Sequence, residues 1–214
     1  MTEAVLYDYW RSSAAYRVRI ALHLKGIAYR TVPLDLVEGD QRGSDYLARN
    51  PQGLVPALEI DGHFLTQSLA IIDHLDARHK APPMVPADPA ERSAVLAKAL
   101  VIAADIHPIN NLRVLNYLRG TLGLDDEAVG TWYRHWIAEG FTALEQGAPD
   151  CGLFGGAEPD LVDVCLVPQM TNARRFDMPL DMFPRLVRID AALRLLPAYV
   201  AAAPEAAKPS AAKP

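Results

Sequence analysis

Two serines stand together in Trp10-Arg11-Ser12-Ser13-Ala14-Ala15, between a strand-like run and a helix-like one. A turn in that place leaves the first backbone N–H groups of the helix without intrahelical partners and sets its hydroxyls at the positive end of the helix dipole. Such a turn suits an anion such as a thiolate, although a serine there also caps the helix, and capping alone is at least as common. A second feature is Asn50-Pro51-Gln52-Gly53-Leu54-Val55-Pro56, where the proline opens a strand-like run. A cis proline would turn the backbone of Val55 outward, so that its N–H and C=O could take an extended peptide as a short added strand; an edge proline with no ligand is the plainer alternative. In the third, Thr66-Gln67-Ser68, a hydroxyl and an amide precede an apolar-periodic helix. Its free N–H groups would accept a carboxylate, or Ser68 is simply a cap. The three features together offer places for a thiol, a peptide backbone and a carboxylate.

The elements that must position these groups follow from periodicity. AVLYDYW reads as a strand, and Ser12 to Lys25 carries Val18, Ala21, Leu22 and Lys25 at helical spacing before Gly26. AYRTVPLDL reads as a second strand, followed by a polar stretch with Gln41 and Gly43, a strand in VPALEI, the turn Asp61-Gly62, the strand HFL, and a helix from about Ser68 to His79. The order is β-α-β-α-β-β-α, with the middle helix weakest. Four prolines between Pro82 and Pro89 exclude a helix and mark a linker. Everything after them reads as helical: a long run from about Pro89 to Arg119 broken near His107-Pro108, then helices over 126–147, 160–174 and 184–200. The expected division is an α/β domain over 1–81, a linker over 82–88, an all-α domain over 89–203 and a flexible Pro- and Ala-rich tail over 204–214.

Bulk properties exclude several classes. A formal net charge of −5 with no dense run of Lys and Arg argues against nucleic acid. No apolar run approaches the ~20 residues that span a bilayer, and the N-terminus lacks the regions of a signal peptide, so a cytoplasmic protein away from membranes is expected. Only Cys151 and Cys165 occur, with no CxxC or Cys/His cluster, so dithiol redox chemistry and a metal site lose their ligands. Any sulfur chemistry needs a borrowed thiol.

RSSAAYRVRIAL from Arg11, NPQGLVPAL from Asn50, QSLAII from Gln67, IHPINNL from Ile106, LVDVCLVPQ from Leu161 and NARRF from Asn172 resemble, in this order, the zeta class of glutathione transferases. The resemblance runs from Val5 to Ala203 and implies a thioredoxin-like N-terminal domain, an all-helical C-terminal domain, glutathione as cofactor and a homodimer. By matching position, Ser12 would contact the glutathione sulfur, Ser13 would support the motif, Val55 would pair with the cysteinyl backbone, and Gln67 and Ser68 would take the γ-glutamyl carboxylate. Gln41 and Asn110 match further contacts to the tripeptide, and Asp160 and Asp163 match a helix-capping region. Ala14 stands at a glutathione-site position where the zeta signature usually has Cys, so any covalent role of that cysteine is absent. A hydroxyl donor and a helix dipole still suffice to favour a bound thiolate.

Zeta relatives include enzymes that isomerise maleylacetoacetate and maleylpyruvate. The resemblance therefore implies a thiolate that adds to a conjugated cis double bond, lets it rotate, and is eliminated to leave the trans acid. A dicarboxylate needs cations, for which Arg11 and Arg175 are the candidates. His107 and Asn111 would polarise the developing enolate; mending the backbone beside Pro108 is the alternative for His107, and a surface ion pair is the less favoured alternative for Arg175. DIHPINN is especially similar to the maleylpyruvate enzymes, whereas Leu112 directly after the paired Asn is as in the maleylacetoacetate enzymes, so the substrate is left open between the two. A transferase or peroxidase-type enzyme that consumes glutathione would share its site without needing the cation pair. A non-catalytic glutathione-binding protein would share it too.

Overall fold

The computed structural model describes residues 3–209. They form two units, one of residues up to Pro83 together with those from Leu195 onward, the other Met84–Arg194.

In the first unit the order is β1 (Ala4–Asp8), α1 (Ser13–Leu24), β2 (Tyr29–Pro33), a 310 turn (Asp40–Arg42), α2 (Ser44–Arg49), β3 (Ala57–Ile60), β4 (His63–Thr66) and α3 (Ser68–Arg78). This is the predicted β-α-β-α-β-β-α order, with α2 a mere six residues. The sheet order is β2-β1-β3-β4; β1 and β2 run parallel, and β3 is antiparallel to both β1 and β4. Leu6, Ala57, Leu58, Ile71, Ile72, Val18 and Leu22 are fully buried between sheet and helices.

The register places the site. Tyr7 pairs with Ala57 and Ala57 with Thr66, so the end of β1, the start of β3 and the end of β4 meet at one end of the sheet. Asp8 pairs with Pro33, which brings the segment after β2 to the same end.

The unit is completed by two short helices, α10 (Pro197–Ala202) and α11 (Pro204–Ala207), with α10 packed on α1. The Tyr16 hydroxyl donates to Tyr199 O at 3.4 Å and Arg19 Nε to Ala202 O at 2.8 Å. The sequence reading put 195–203 in the helical domain and 204–214 in a flexible tail. Pro197 breaks the expected 184–200 helix because it lacks an N–H, and it starts α10 instead, sending the chain back to α1; 204–207 are helical, and Lys208 lies over the Trp10 ring at 5.3 Å. Residues 210–214 of the expected tail lie outside the described residues.

The second unit is helical: α4 (Pro89–Leu100), a π turn (Val101–Ile106), α5 (His107–Ile109), α6 (Leu112–Gly120), α7 (Asp126–Gln146), α8 (Leu161–Arg175) and α9 (Pro184–Leu193). The Pro-rich segment expected as a linker is partly core, since Met84 is fully buried and its carbonyl accepts the Leu161 N–H at 2.8 Å. The helix runs through His107-Pro108 itself, and the break expected near there falls two residues on, at Asn110–Asn111. Pro108 has no N–H for an i→i−4 bond, and the turn before it is widened, with His107 N–H bonded to Ile102 O. Gly140 of α7 admits this wider turn, because a Cβ there would lie 2.4 Å from Ile106 Cδ1.

By length and composition alone Pro89–Gly120 is long and apolar enough to cross a membrane, a run the sequence reading did not count. Within it Ile102 and Ile106 are buried where the π turn packs on α7 and α8, while most of the apolar stretch is not buried. Both cysteines are free, Cys151 exposed and Cys165 buried in α8.

At the start of α8, Asp160 Oδ1 accepts the N–H groups of Val162 and Asp163 at 2.8 and 3.1 Å, and Asp163 Oδ2 accepts that of Asp160 at 3.1 Å. Asp163 also takes the N–H groups of Phe154 and Gly155 at 3.1 and 2.9 Å, so one carboxylate ties the preceding loop to the helix. Burial first, and the neighbouring Asp160 charge second, push the Asp163 carboxyl up to about 7. A raised carboxyl pKa means that the folded protein holds a proton the unfolded chain has already released. This contribution to stability is therefore present at the acid end and is lost as pH rises from about 4 to about 7. Urea midpoints of the wild type should fall with rising pH across that window, and Asp163→Asn, which cannot ionise, should flatten the slope.

Candidate functional site

The Ser12 N–H bonds back to Tyr9 O at 2.8 Å, its C=O accepts the Tyr16 N–H at 2.9 Å, and its Oγ accepts the Ala15 N–H at 3.2 Å. The serine thus caps α1, yet capping uses only the acceptor capacity of Oγ and leaves its own proton to be donated to an anion. Capping and anion binding, which the sequence set against each other, are compatible. Ser13 and Ala14 begin the helix and are buried, so Ala14 contributes a methyl and no chemistry.

Val55 precedes a cis peptide bond to Pro56. Among the described residues neither its N–H nor its C=O takes part in a backbone hydrogen bond, and its strand pairing begins only at Ala57. The loop that presents it is fixed from behind: Tyr46 Oη and Asn50 Nδ2 both donate to Leu54 O, at 2.6 and 2.8 Å. Gly53, at φ +59, approaches the 310 turn so closely that a Cβ would lie 2.9 Å from Gln41 O. This contact sets Gln41 beside the Val55 loop, and the Gln41 Oε1 is buried without a partner among the described residues.

Gln67 has φ +67, a left-handed conformation that costs a non-glycine residue of order 1 kcal/mol or more and that clusters at binding sites. Its Nε2 donates to Gln52 Oε1 at 2.7 Å, and the residue leads straight into α3, whose first residue, Ser68, is buried. The first turn of α3 holds no acidic side chain, so its positive end is not neutralised from within.

Ser12, Val55 and Gln67–Ser68 follow β1, precede β3 and follow β4, so the sheet register gathers them at one end. Neighbouring strands lie ~5 Å apart, and the three strands span ~10 Å, the length of an extended tripeptide at ~3.3 Å per residue. Arg11, exposed beside Ser12, rests on the Trp10 ring at 5.5 Å and has no carboxylate partner among the described residues.

The second unit presents its own polar cluster at the end of α8. Arg174 pairs with the buried Asp190 at 2.6 Å, while its neighbour Arg175 pairs with no carboxylate among the described residues. Arg175 Nη2 instead donates to Asn172 Oδ1 at 2.9 Å, and its guanidinium lies 5.6 Å from the Phe176 ring centre. Phe176 in turn stacks on Tyr133 at 3.6 Å; burial pushes the Tyr133 phenol up, and the Arg175 charge opposes that push.

Asn110 and Asn111 have backbone duties. Asn110, buried, donates from Nδ2 to Tyr133 O at 3.1 Å and so pins α5 to α7. Asn111 caps α6 by accepting the Arg113 N–H at 3.1 Å, which leaves its amide hydrogens to donate elsewhere. His107 sits half-buried at the start of α5, beyond the π turn. Sequence reasoning gave Arg17 a structural role; it is 1% exposed on α1 and donates from Nη1 to Ser68 Oγ at 3.4 Å. Helical spacing put Arg17 inside the signature helix, but nothing local revealed a partner 51 residues away.

Residues 6–83 match the family model described as the glutathione S-transferase N-terminal domain. Over 210 residues the chain is 51% identical to a probable maleylacetoacetate isomerase of Vibrio cholerae, covering 96% of this chain and 97% of that one. The holo structure of a maleylpyruvate isomerase, a bacterial zeta-class protein, superposes with a TM-score of 0.93 at 42% identity, covering 97% of this chain and 100% of that one. A maleylacetoacetate isomerase of Methylobacterium extorquens, solved with bound malonate and glutathione, does so with a TM-score of 0.90 at 38% identity, covering 96% and 100%. With the zeta signature at α1, this sheet register and relatives alike over nearly their whole length, the chain belongs to the zeta-class glutathione transferases, the family of the maleylacetoacetate and maleylpyruvate isomerases.

Proposed function

We propose that the protein binds glutathione on its first unit and uses it as a cofactor to convert a cis unsaturated diketo acid of the maleylacetoacetate or maleylpyruvate kind to its trans isomer. The observation that carries this reading is the convergence of a capped serine, an open backbone pair and an unneutralised helix terminus at one end of the sheet. The residues fit the tripeptide. Val55 has a donor and an acceptor without backbone partners for an extended backbone, Ser68 and Gln67 offer a hydroxyl, an amide and helix N–H groups to a carboxylate, and Gln41 adds a further polar contact.

Ser12 donates its hydroxyl proton toward the sulfur while Ala15 N–H holds the same oxygen in place, so the hydroxyl and the α1 dipole both favour the charged form. Glutathione, when bound, supplies the thiolate that adds to the conjugated bond, lets it rotate as a single bond and leaves again. Arg11 and Arg175 are the cations for the substrate's carboxylates, since neither is engaged by a carboxylate among the described residues. Asn111, its oxygen used in the α6 cap, keeps an N–H donor for the oxygen on which negative charge grows, and His107 is the second donor. The malonate and glutathione bound by the Methylobacterium extorquens relative support a dicarboxylate beside the thiol. The same family reading makes the protein a cytoplasmic homodimer, for which light scattering should give twice the chain mass.

Purified protein mixed with maleylacetoacetate and with maleylpyruvate should give glutathione-dependent loss of the enol absorbance with at least one of them, and glutathione should not be consumed. Conjugation of haloaromatic electrophiles without either isomerisation would refute the reading. Ser12→Ala should lower turnover by ~10- to 1000-fold, the range for losing one stabilising donor. Arg175→Ala removes no ion pair, so stability should change by less than about 1 kcal/mol and glutathione affinity hardly at all, while malonate inhibition weakens by about tenfold or more. Equal loss of both affinities would make Arg175 structural.

A further inference from the structure

We infer that Lys208 is a second cation for the substrate carboxylate assigned to Arg11, brought to the Ser12 turn by the returning C-terminal helices; the inference rests on the isomerase reading above. The Trp10 ring is the common anchor. Arg11 Cζ lies 5.5 Å from its centre and Lys208 Nζ 5.3 Å, so the two charges lie within about 11 Å of each other. Neither is paired with a carboxylate among the described residues. Three prolines shape the return. Pro197 and Pro204 each start a helix, where a missing N–H costs nothing, and Pro209 follows Lys208 and favours its extended backbone, φ −63 and ψ 124. The segment is fixed on α1 by the bonds of Tyr16 to Tyr199 O and Arg19 to Ala202 O. Ala207 and Pro209, on either side of Lys208, line the same cavity of about 290 Å³ as Tyr9, Trp10 and Leu34, so the chain stands off the turn there and the exposed Lys208 side chain reaches across to the ring.

Two like charges drawn to one ring repel each other, and the ring orients them without supplying a counter-charge. Their potentials therefore add, and the separation is comparable to the ~8 Å screening length at physiological salt, so both act on one small anion. A carboxylate between them can accept from Arg11 in a bidentate fork and from Lys208 as a point charge, which relieves the repulsion. Arg11 is the direct neighbour of Ser12, so a carboxylate held by the pair lies beside the thiol that attacks the substrate. Lys208 is a substrate-binding residue in this scheme. Its charge is present before and after the thiolate adds, so it raises affinity rather than the rate of the chemical step.

The test is titration calorimetry of malonate into the glutathione complex of the full-length protein. Lys208→Met, which keeps much of the stem against Trp10, should weaken malonate by about three- to tenfold, as for one partly solvated charged contact, and leave glutathione affinity within about twofold. The loss should shrink at ~0.5 M salt, where charges are screened, and Lys208→Arg should restore most of the affinity. In steady-state assays KM for the isomerised acid should rise in Lys208→Met while kcat stays nearly unchanged. Unchanged malonate affinity in Lys208→Met, a loss that salt does not shrink, or equal loss of malonate and glutathione affinity would overturn the inference. The last outcome is the one expected of a lysine that only holds the Ser12 turn in place. Absence of glutathione-dependent isomerisation in the wild type would overturn the reading beneath it, a result separate from the malonate titrations.

Discussion

The first unit is organised around the buried guanidinium of Arg19. Arg19, 1% exposed, holds both oxygens of Asp8 at 2.7 and 2.8 Å from Nη1, Trp10 O at 3.2 Å from Nη2 and Ala202 O at 2.8 Å from Nε. It therefore joins the last residue of β1, the turn that leads to Ser12, and the returning helix α10. Burial pushes the Asp8 carboxyl up, and the charge and hydrogen bonds of Arg19 oppose it. Removing either partner would leave the other charge buried, a loss of about 3–5 kcal/mol. The turn that carries Ser12 is thus held from behind by a bond network that the ligand need not provide, which is the preorganisation that anion stabilisation requires.

The two arginines of α1 divide the work. Arg19 is neutralised by Asp8 and fixes backbone, whereas Arg17 reaches a hydroxyl at the site. The same contrast recurs in α8, where Arg174 is absorbed by Asp190 and Arg175 is steadied by Asn172 and an aromatic ring. In each pair the acid-bound arginine builds the scaffold.

Much of this was legible in the sequence because it is local. Periodicity and caps located nearly every strand and helix, and the Asp61-Gly62 turn announced the β3–β4 hairpin that brings Ser68 to the start of β3. The capping box at Asp160 and Asp163 was readable from the family pattern, while residue type left the cis bond at Pro56 as one of two alternatives. What escaped depends on distant partners. The return of α10 to α1 rests on contacts spanning 183 residues, and Arg17 meets Ser68 across 51, separations at which periodicity carries no signal. The π turn before Pro108 escaped as well, because a proline inside an apolar run reads as a break unless Gly140 on another helix is known to make room for a wider turn. The cap at Ser12 was legible, but that it leaves the hydroxyl proton to be donated needed the hydrogen-bond geometry.

Ser12, at the terminus of α1, is proposed to hold the glutathione sulfur as a thiolate. Ultraviolet difference spectra of the protein–glutathione complex, titrated with pH, measure the pKa of the bound thiol directly. The account predicts a value well below the ordinary thiol value of about 8.5, rising toward it in Ser12→Ala. A bound thiol that titrates at its ordinary value in the wild type, or a depressed value unchanged by Ser12→Ala, would contradict it.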